Sequence, residues 1–426
     1  MCPCVLRGRN GWFVLALFLS QGFQFGYQLW ANSGGYLFSD NTFYETPAWS
    51  LASGKGLSIP RAEWEDPYLT SRFLARHPDR DATHIPSVTF APGYAWFLAL
   101  VYGFTGRSHL AAVLANGPLL AITLASFTGL VFLCLKEDRA RRIALFLGAL
   151  FPFWAFWAAR IMSDTLCNAL LATSVLLWLW KKPGFARPIL VGLLMGAAIL
   201  TRPYAALLPP VVVLLETLAR RWPEVRRALI VTVVSFLCLG FWVARNYSLF
   251  GVPLVTGMGL GYNVWQASYE AENGRFSSVD SAAFHAELAR LGIGDAHFVE
   301  AHGRFMEVIW SRVKAEPLTH IAGALTGAPR LWVSQGRAYG LPLRLVLGAW
   351  FGSLLVFMVL GAWRAVRDRD ARGLTLLVPV VYYTTVFMGL HIESRYTLPV
   401  RPLGLILSAS GIDWVLRSAS LRARGL

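Results

Sequence analysis

Charge is what this chain has least of. Only 15% of its 426 residues are Asp, Glu, Lys or Arg, against about 25% in an ordinary soluble domain. Acidic residues are the scarcer half, 24 against 39 Lys and Arg. Cysteine is also sparse, with five in all and no Cys-x-x-Cys pair, which excludes a disulfide framework and a thiolate zinc site. Cys2 and Cys4 flank Pro3, whereas Cys134, Cys167 and Cys238 lie in apolar runs. There is no phosphate-binding loop, no Gly-x-Gly-x-x-Gly at a strand–helix turn and no His-Glu-x-x-His. The glycines at 257, 259 and 261 read as a loop. No internal repeat or low-complexity tract appears.

What the chain has is apolar length. It is 55% hydrophobic and 14% aromatic, with a mean hydropathy of +0.49. Runs approaching 20 apolar residues make it an all-α polytopic membrane protein. Ten spans are predicted, at about 11–31, 109–134, 143–161, 163–180, 188–203, 204–219, 228–244, 341–363, 373–390 and 397–415. With these spans the basic clusters share one side. They surround Arg7, Arg139, Lys181, Arg221, Arg367 and Arg422, as expected for cytoplasmic loops. Both termini are then cytoplasmic in a cytoplasmic (inner) membrane. That placement accounts for the net charge of +15 without a nucleic-acid partner, for which no recognition motif is present.

The first outer loop, 32–108, holds two apolar stretches too short to span, 44–53 and 92–104. Both are predicted to lie along the surface as interfacial helices, the first capped near Asp40 or Thr42 and stopped at Gly54. Between them, Ile59 to His84 reads as an irregular loop. Helical pattern recurs at 281–292 and 296–316. The domain organisation expected is a catalytic membrane core over 1–244, an extracytoplasmic helical insert over 245–340, and C-terminal membrane helices over 341–426.

This topology collects ionisable residues at the outer helix ends: Asp40, Arg160, Asp164, Arg202, Arg245, His391, Glu393 and Arg395. Charge at membrane depth is costly and usually pairs or functions. Guanidinium groups match phosphate oxygens, so Arg202, Arg245 and Arg395 are candidate holders of a phosphate; each also suits simple snorkelling to lipid head groups. Asp40 is the candidate general base, with Asp164 second. As a pair they also have the oxygen ligands for a divalent cation, and either carboxylate would serve as a helix N-cap. Tyr44, Pro92, Tyr94 and Tyr396 line the same rim. His391 and Glu393 are placed to orient a substrate. The insert histidines His285, His297 and His302 have no metal spacing and read as surface residues.

Five stretches, taken in order, resemble the GT-C superfamily of integral membrane glycosyltransferases. In particular they are similar to bacterial relatives of protein O-mannosyltransferases and to the aminoarabinose transferase of lipid A. The stretches are Asp40 with Tyr44, Ala48, Leu51 and Gly54; Pro92-Gly93-Tyr94 through Gly106; Ser163-Asp164; Leu200-Thr201-Arg202-Pro203 with Arg245-Asn246-Tyr247; and His391-Ile392-Glu393-Ser394-Arg395-Tyr396-Thr397-Leu398-Pro399. Asn41 departs from the Asp-Glu pair of many members. The resemblance implies about seven core helices, two juxtamembrane helices and a polyprenyl-phosphate-linked sugar donor. It implies Asp40 as base, and inversion by a single displacement at an extracytoplasmic site. The acceptor would be a lipid, a glycan or a protein. A transporter or flippase of lipid-linked sugars would instead place charge near the midplane. An outer-leaflet oligosaccharide polymerase or ligase is the other alternative.

Overall fold

The computed structural model describes residues 9–32, 40–63, 66–80, 83–180, 184, 186–257, 259–273, 282–292, 299–333, 341–390 and 392–423. Helix α1 (Arg9–Ala31) leads to the rim that carries Asp40. There the chain forms α2 (Thr42–Ala52), strand β1 (Ser58–Pro60), α3 (Pro67–Arg76), strand β2 (His84–Pro86) and α4 (Gly93–Thr105). Helices α2 and α4 are the two short helices expected from the sequence. They pack through Tyr44, Ala48, Tyr94, Leu98 and Tyr102, all buried.

The segment between them is not the irregular loop anticipated over Ile59 to His84. Its ends form an antiparallel pair with Ile59 opposite Ile85. Its middle is a helix whose start was readable. Asp66 accepts from the Leu69 backbone N–H at 3.0 Å and Pro67 opens the first turn, a good N-terminal pairing of cap and proline. Leu69 and Phe73 turn inward and anchor it.

Next come α5 (His109–Cys134), α6 (Asp138–Leu150), α7 (Phe153–Ala158), α8 (Asp164–Leu179), α9 (Ala186–Thr201), α10 (Leu208–Leu218) and α11 (Trp222–Phe250). The span expected at 143–161 is two helices, because Pro152 has no N–H to continue α6. In apolar surroundings the carbonyls so freed need protein partners. Helix α1 supplies them. The fully buried Gln21 donates to the Gly148 and Phe151 carbonyls at 2.9 and 2.8 Å. Ser20 and Gln24 both donate to Ala149 O.

Helices α12 (Gly259–Asn273), α13 (Ala282–Arg290), α14 (His302–Ala315) and α15 (Pro317–Val333) follow. Of these, α13 and α14 fall in the helical pattern read from the sequence, while α12 and α15 were not anticipated. The first three close around Trp265 and Phe305. Helix α11 continues past 244 to Phe250, and α15 ends with Leu331 and Trp332 inside the main core.

Helices α16 (Leu341–Arg367), α17 (Ala371–Met388) and α18 (Arg401–Ala423) complete the fold. The backbones of α16 and α18 touch at two glycines. A Cβ on Gly361 would fall 2.0 Å from the Leu407 carbonyl oxygen, and one on Gly411 2.1 Å from that of Phe357. Small residues allow such close crossings in lipid. Gly411→Leu is therefore expected to force the helices apart at a cost of about 1–3 kcal/mol, read as a lower thermal midpoint of the solubilised protein. An unchanged midpoint would speak against this close crossing. Among the described residues, α5, α11, α16 and α17 are long and apolar enough to cross a membrane. Helices α4, α8 and α9 are apolar but shorter.

Candidate active site

Asp40 stands two residues before α2. The cap position itself is Asn41, which makes no side-chain cap bond. Asp40 instead turns to the far end of the sequence, where its Oδ2 accepts from Arg395 Nη1 at 3.1 Å. Arg395 lies in the short 3-10 helix Ser394–Val400 that precedes α18. Its Nε also pairs with the Glu393 carboxylate. Its guanidinium carbon lies 5.5 Å from the centre of the Tyr396 ring and 5.9 Å from that of Trp157. The arginine is sunk, at 12% side-chain exposure, while Asp40 and Glu393 face outward at 28% and 35%.

A second pair lies deeper. Asp164 opens α8 and is fully buried; its Oδ2 accepts from Arg202 Nη2 at 2.6 Å. Asp164 Oδ1 and Arg202 Nε have no hydrogen-bond partner among the described residues. Pro203 accounts for the posture of Arg202, because a residue before proline is driven to extended backbone. Here φ is −142° and ψ 101°. Tyr44 bridges toward this pair. Its hydroxyl lies 3.0 Å from Ser163 Oγ, and its ring stacks on Phe90 and meets Tyr94 edge-on. Burial pushes the Tyr44 hydroxyl up in pKa, with Arg202 pulling it partly back, so it stays protonated and able to donate. Tyr94 donates to Asn116 Oδ1 at 3.3 Å, and the Asn116 amide donates to the Ala158 and Arg160 carbonyls. Pro92 is buried at the start of α4. The next residue, Gly93, lies so close to α9 that a Cβ would come 2.6 Å from Thr201 Oγ1. That contact fixes α4 beside Arg202.

The rim gathered from the sequence thus divides. Asp40, Tyr44, Asp164, Arg202, Glu393, Arg395 and Tyr396 form one cluster, with Tyr94 and Pro92 behind it. Asp164 was expected as a second catalytic carboxylate or as a metal ligand with Asp40. The two carboxylates face different arginines, and Asp164 is buried. His391 lies outside the described residues. Arg245 belongs elsewhere. Its guanidinium donates to the Ser87 and Leu57 carbonyls and to Asn246 Oδ1. It lines a cavity of about 600 Å³ with Lys55, Arg80, His84, Ser58 and Thr83. Among the described residues, no carboxylate lines that cavity, whereas the Asp40 cluster sets three carboxylates against two guanidinium groups.

Sequence reasoning missed Ser163 and Asn116 as polar supports and Trp157 as an aromatic wall. Asn116 had a signal: an amide inside an apolar helix needs a partner.

Residues 82–272 match the family model of Alg9-like mannosyltransferases. The match takes in Asp164, Arg202 and Arg245 but stops short of Asp40 and Arg395. No curated protein sequence matches the chain. Among solved structures, the fold is similar to the oligosaccharyltransferase AglB from Archaeoglobus fulgidus in complex with an inhibitory peptide and a dolichol-phosphate. The TM-score is 0.55 at 14% identity, over 97% of this chain and 52% of that one. The same enzyme tethered with an acceptor peptide gives 0.56 at 14% identity, over 98% and 51%. ArnT from Cupriavidus metallidurans bound to undecaprenyl phosphate gives only 0.40 at 16% identity, over 97% and 79%. The chain spans about half the length of AglB. In class, then, this is a polytopic helical membrane chain whose fold is similar to that of AglB.

Proposed function

We propose that the protein is a membrane glycosyltransferase. It moves a sugar from a polyprenyl-phosphate-linked donor to a hydroxyl or amine acceptor at the extracytoplasmic face of the cytoplasmic membrane. The observation that carries this reading is the meeting of Asp40 with Arg395 and Glu393 across the length of the sequence. A half-exposed carboxylate is held there by a sunken guanidinium, beside aromatic walls. The Alg9-like match and the fold shared with an enzyme whose structure is in complex with a dolichol-phosphate support the donor class.

Charge count favours one place for the phosphate. Arg202 and Arg395 are already neutralised by carboxylates, so a phosphate at either would also meet those anions. The cavity at Arg245 presents Lys55 and Arg80 as well, with no carboxylate among the described residues that line it. That balance supports this cavity as the donor phosphate's seat. The Ser87–Phe90 strip connects that cavity to Tyr44, through the Arg245–Ser87 bond and the Phe90 ring. Asp40, oriented by Arg395, removes the proton of the acceptor as its oxygen or nitrogen attacks the anomeric carbon. The C–O bond to phosphate breaks with inversion, and the departing charge is met by the Arg245 group.

Arg245→Ala is expected to raise the donor KM at least ~10-fold, since hydrogen bonds to charged groups contribute about 1.5–3 kcal/mol. Initial rates of purified protein against a titrated polyprenyl-phosphate sugar measure it. A donor KM within twofold of wild type would move the phosphate away from this cavity. Failure of the wild-type protein to consume any such donor, with envelope extract as acceptor, would overturn the reading itself.

A further inference from the structure

One buried carboxylate at this rim is used by neither the proposed chemistry nor the ion pairs described above. Glu45 sits in the first turn of α2, one residue past Tyr44, at 3% exposure. Three groups converge on its Oε1. The Tyr102 hydroxyl of α4 donates at 3.1 Å. His109 Nε2, at the first residue of α5, lies at 2.8 Å. Arg107 Nε, in the α4–α5 connection, lies at 3.6 Å. The N-terminus of the 26-residue α5 adds a favourable dipole for an anion, as does the N-terminus of α2 itself. A buried carboxylate is tolerated only with such compensation. Glu45 also ties α2 to two elements that its apolar face does not register: van der Waals packing permits sliding, whereas one hydrogen bond and two ion-pair contacts converging on one oxygen set one position.

We propose that Glu45 is a positioning residue. Its clamp on Tyr102, Arg107 and His109 fixes the roll and height of α2, and so sets where Asp40 and Tyr44 stand against Arg395 and Ser163. The consequence for turnover rests on the glycosyltransferase reading; the clamp itself does not. A misplacement near 1 Å at a reacting group can cost on the order of a hundredfold in rate.

Two readouts separate the claims. Glu45→Gln keeps the shape and removes the charge. It is expected to lower kcat on the order of tenfold to a hundredfold, leave donor KM within twofold, and raise amide hydrogen exchange over 42–52. His109→Gln should act in the same direction. The double variant should be little worse than Glu45→Gln alone, because residues in one network are not additive. Glu45→Asp should restore part of the lost exchange protection. Wild-type exchange over 42–52 in Glu45→Gln, or strictly additive losses in the double variant, would overturn the clamp. Were Glu45→Gln to fail to fold, His109→Gln and Arg107→Ala read the same exchange signal. If the wild-type protein moves no sugar, the exchange experiment still decides the clamp, and only the proposed activity falls.

Discussion

Replacing Asp40 with Asn is expected to lower sugar transfer by about 10²–10⁴-fold, the usual contribution of a positioned general base. The amide has the shape of the carboxylate and its oxygen still accepts from Arg395 Nη1, which now lies 3.1 Å from Oδ2. What is lost is the capacity to take a proton. The protein should therefore accumulate in the membrane and melt near the wild-type midpoint, while its initial rate collapses. A charged Arg395 keeps the Glu393 carboxylate as an anionic partner, so the substitution does not strand the guanidinium. A rate within a few-fold of wild type would remove Asp40 from the chemistry.

The second large effect is on stability. Asp164 is fully buried and Arg202 is 12% exposed. Removing one partner of such a pair leaves an uncompensated charge, at about 3–5 kcal/mol. Asp164→Ala is expected to lower the thermal midpoint sharply, and activity with it. The double replacement Asp164→Leu with Arg202→Met should recover much of the midpoint, since apolar residues of similar volume often substitute for a buried pair at little cost. Activity should stay low, because Arg202 also holds Tyr44 and Tyr396 in their electrostatic setting. A double variant as unstable as the single would show that the pair is not the source of the loss.

The helical membrane character was legible because long apolar runs recur along the chain, and four described helices are long and apolar enough to span. Asp40 and Arg395 lie 355 residues apart, yet both could be placed at one rim from topology alone. Their direct pairing could not. The roles within the rim were less legible, since sequence gives depth along a helix but not which face is covered. Asp164 and Asp40 looked alike as carboxylates at helix starts; only packing makes one a buried counter-ion and the other a half-exposed group. Arg245 looked equivalent to Arg202. Its different partners, Leu57 and Ser87, flank a strand pair that the charged, proline-rich segment had hidden. The break at Pro152 escaped notice because the apolar run continues through it. The polar residues that make the break tolerable lie about 130 positions earlier on α1.

The most direct test compares mass spectra of envelope glycolipids and glycans from cells carrying wild-type protein, the Asp40→Asn variant, or neither. A single sugar increment present only with the wild-type protein, together with accumulation of the unspent lipid-linked donor in the other two, is the predicted result. Identical spectra from wild-type and Asp40→Asn cells, both differing from cells lacking the protein, would contradict it.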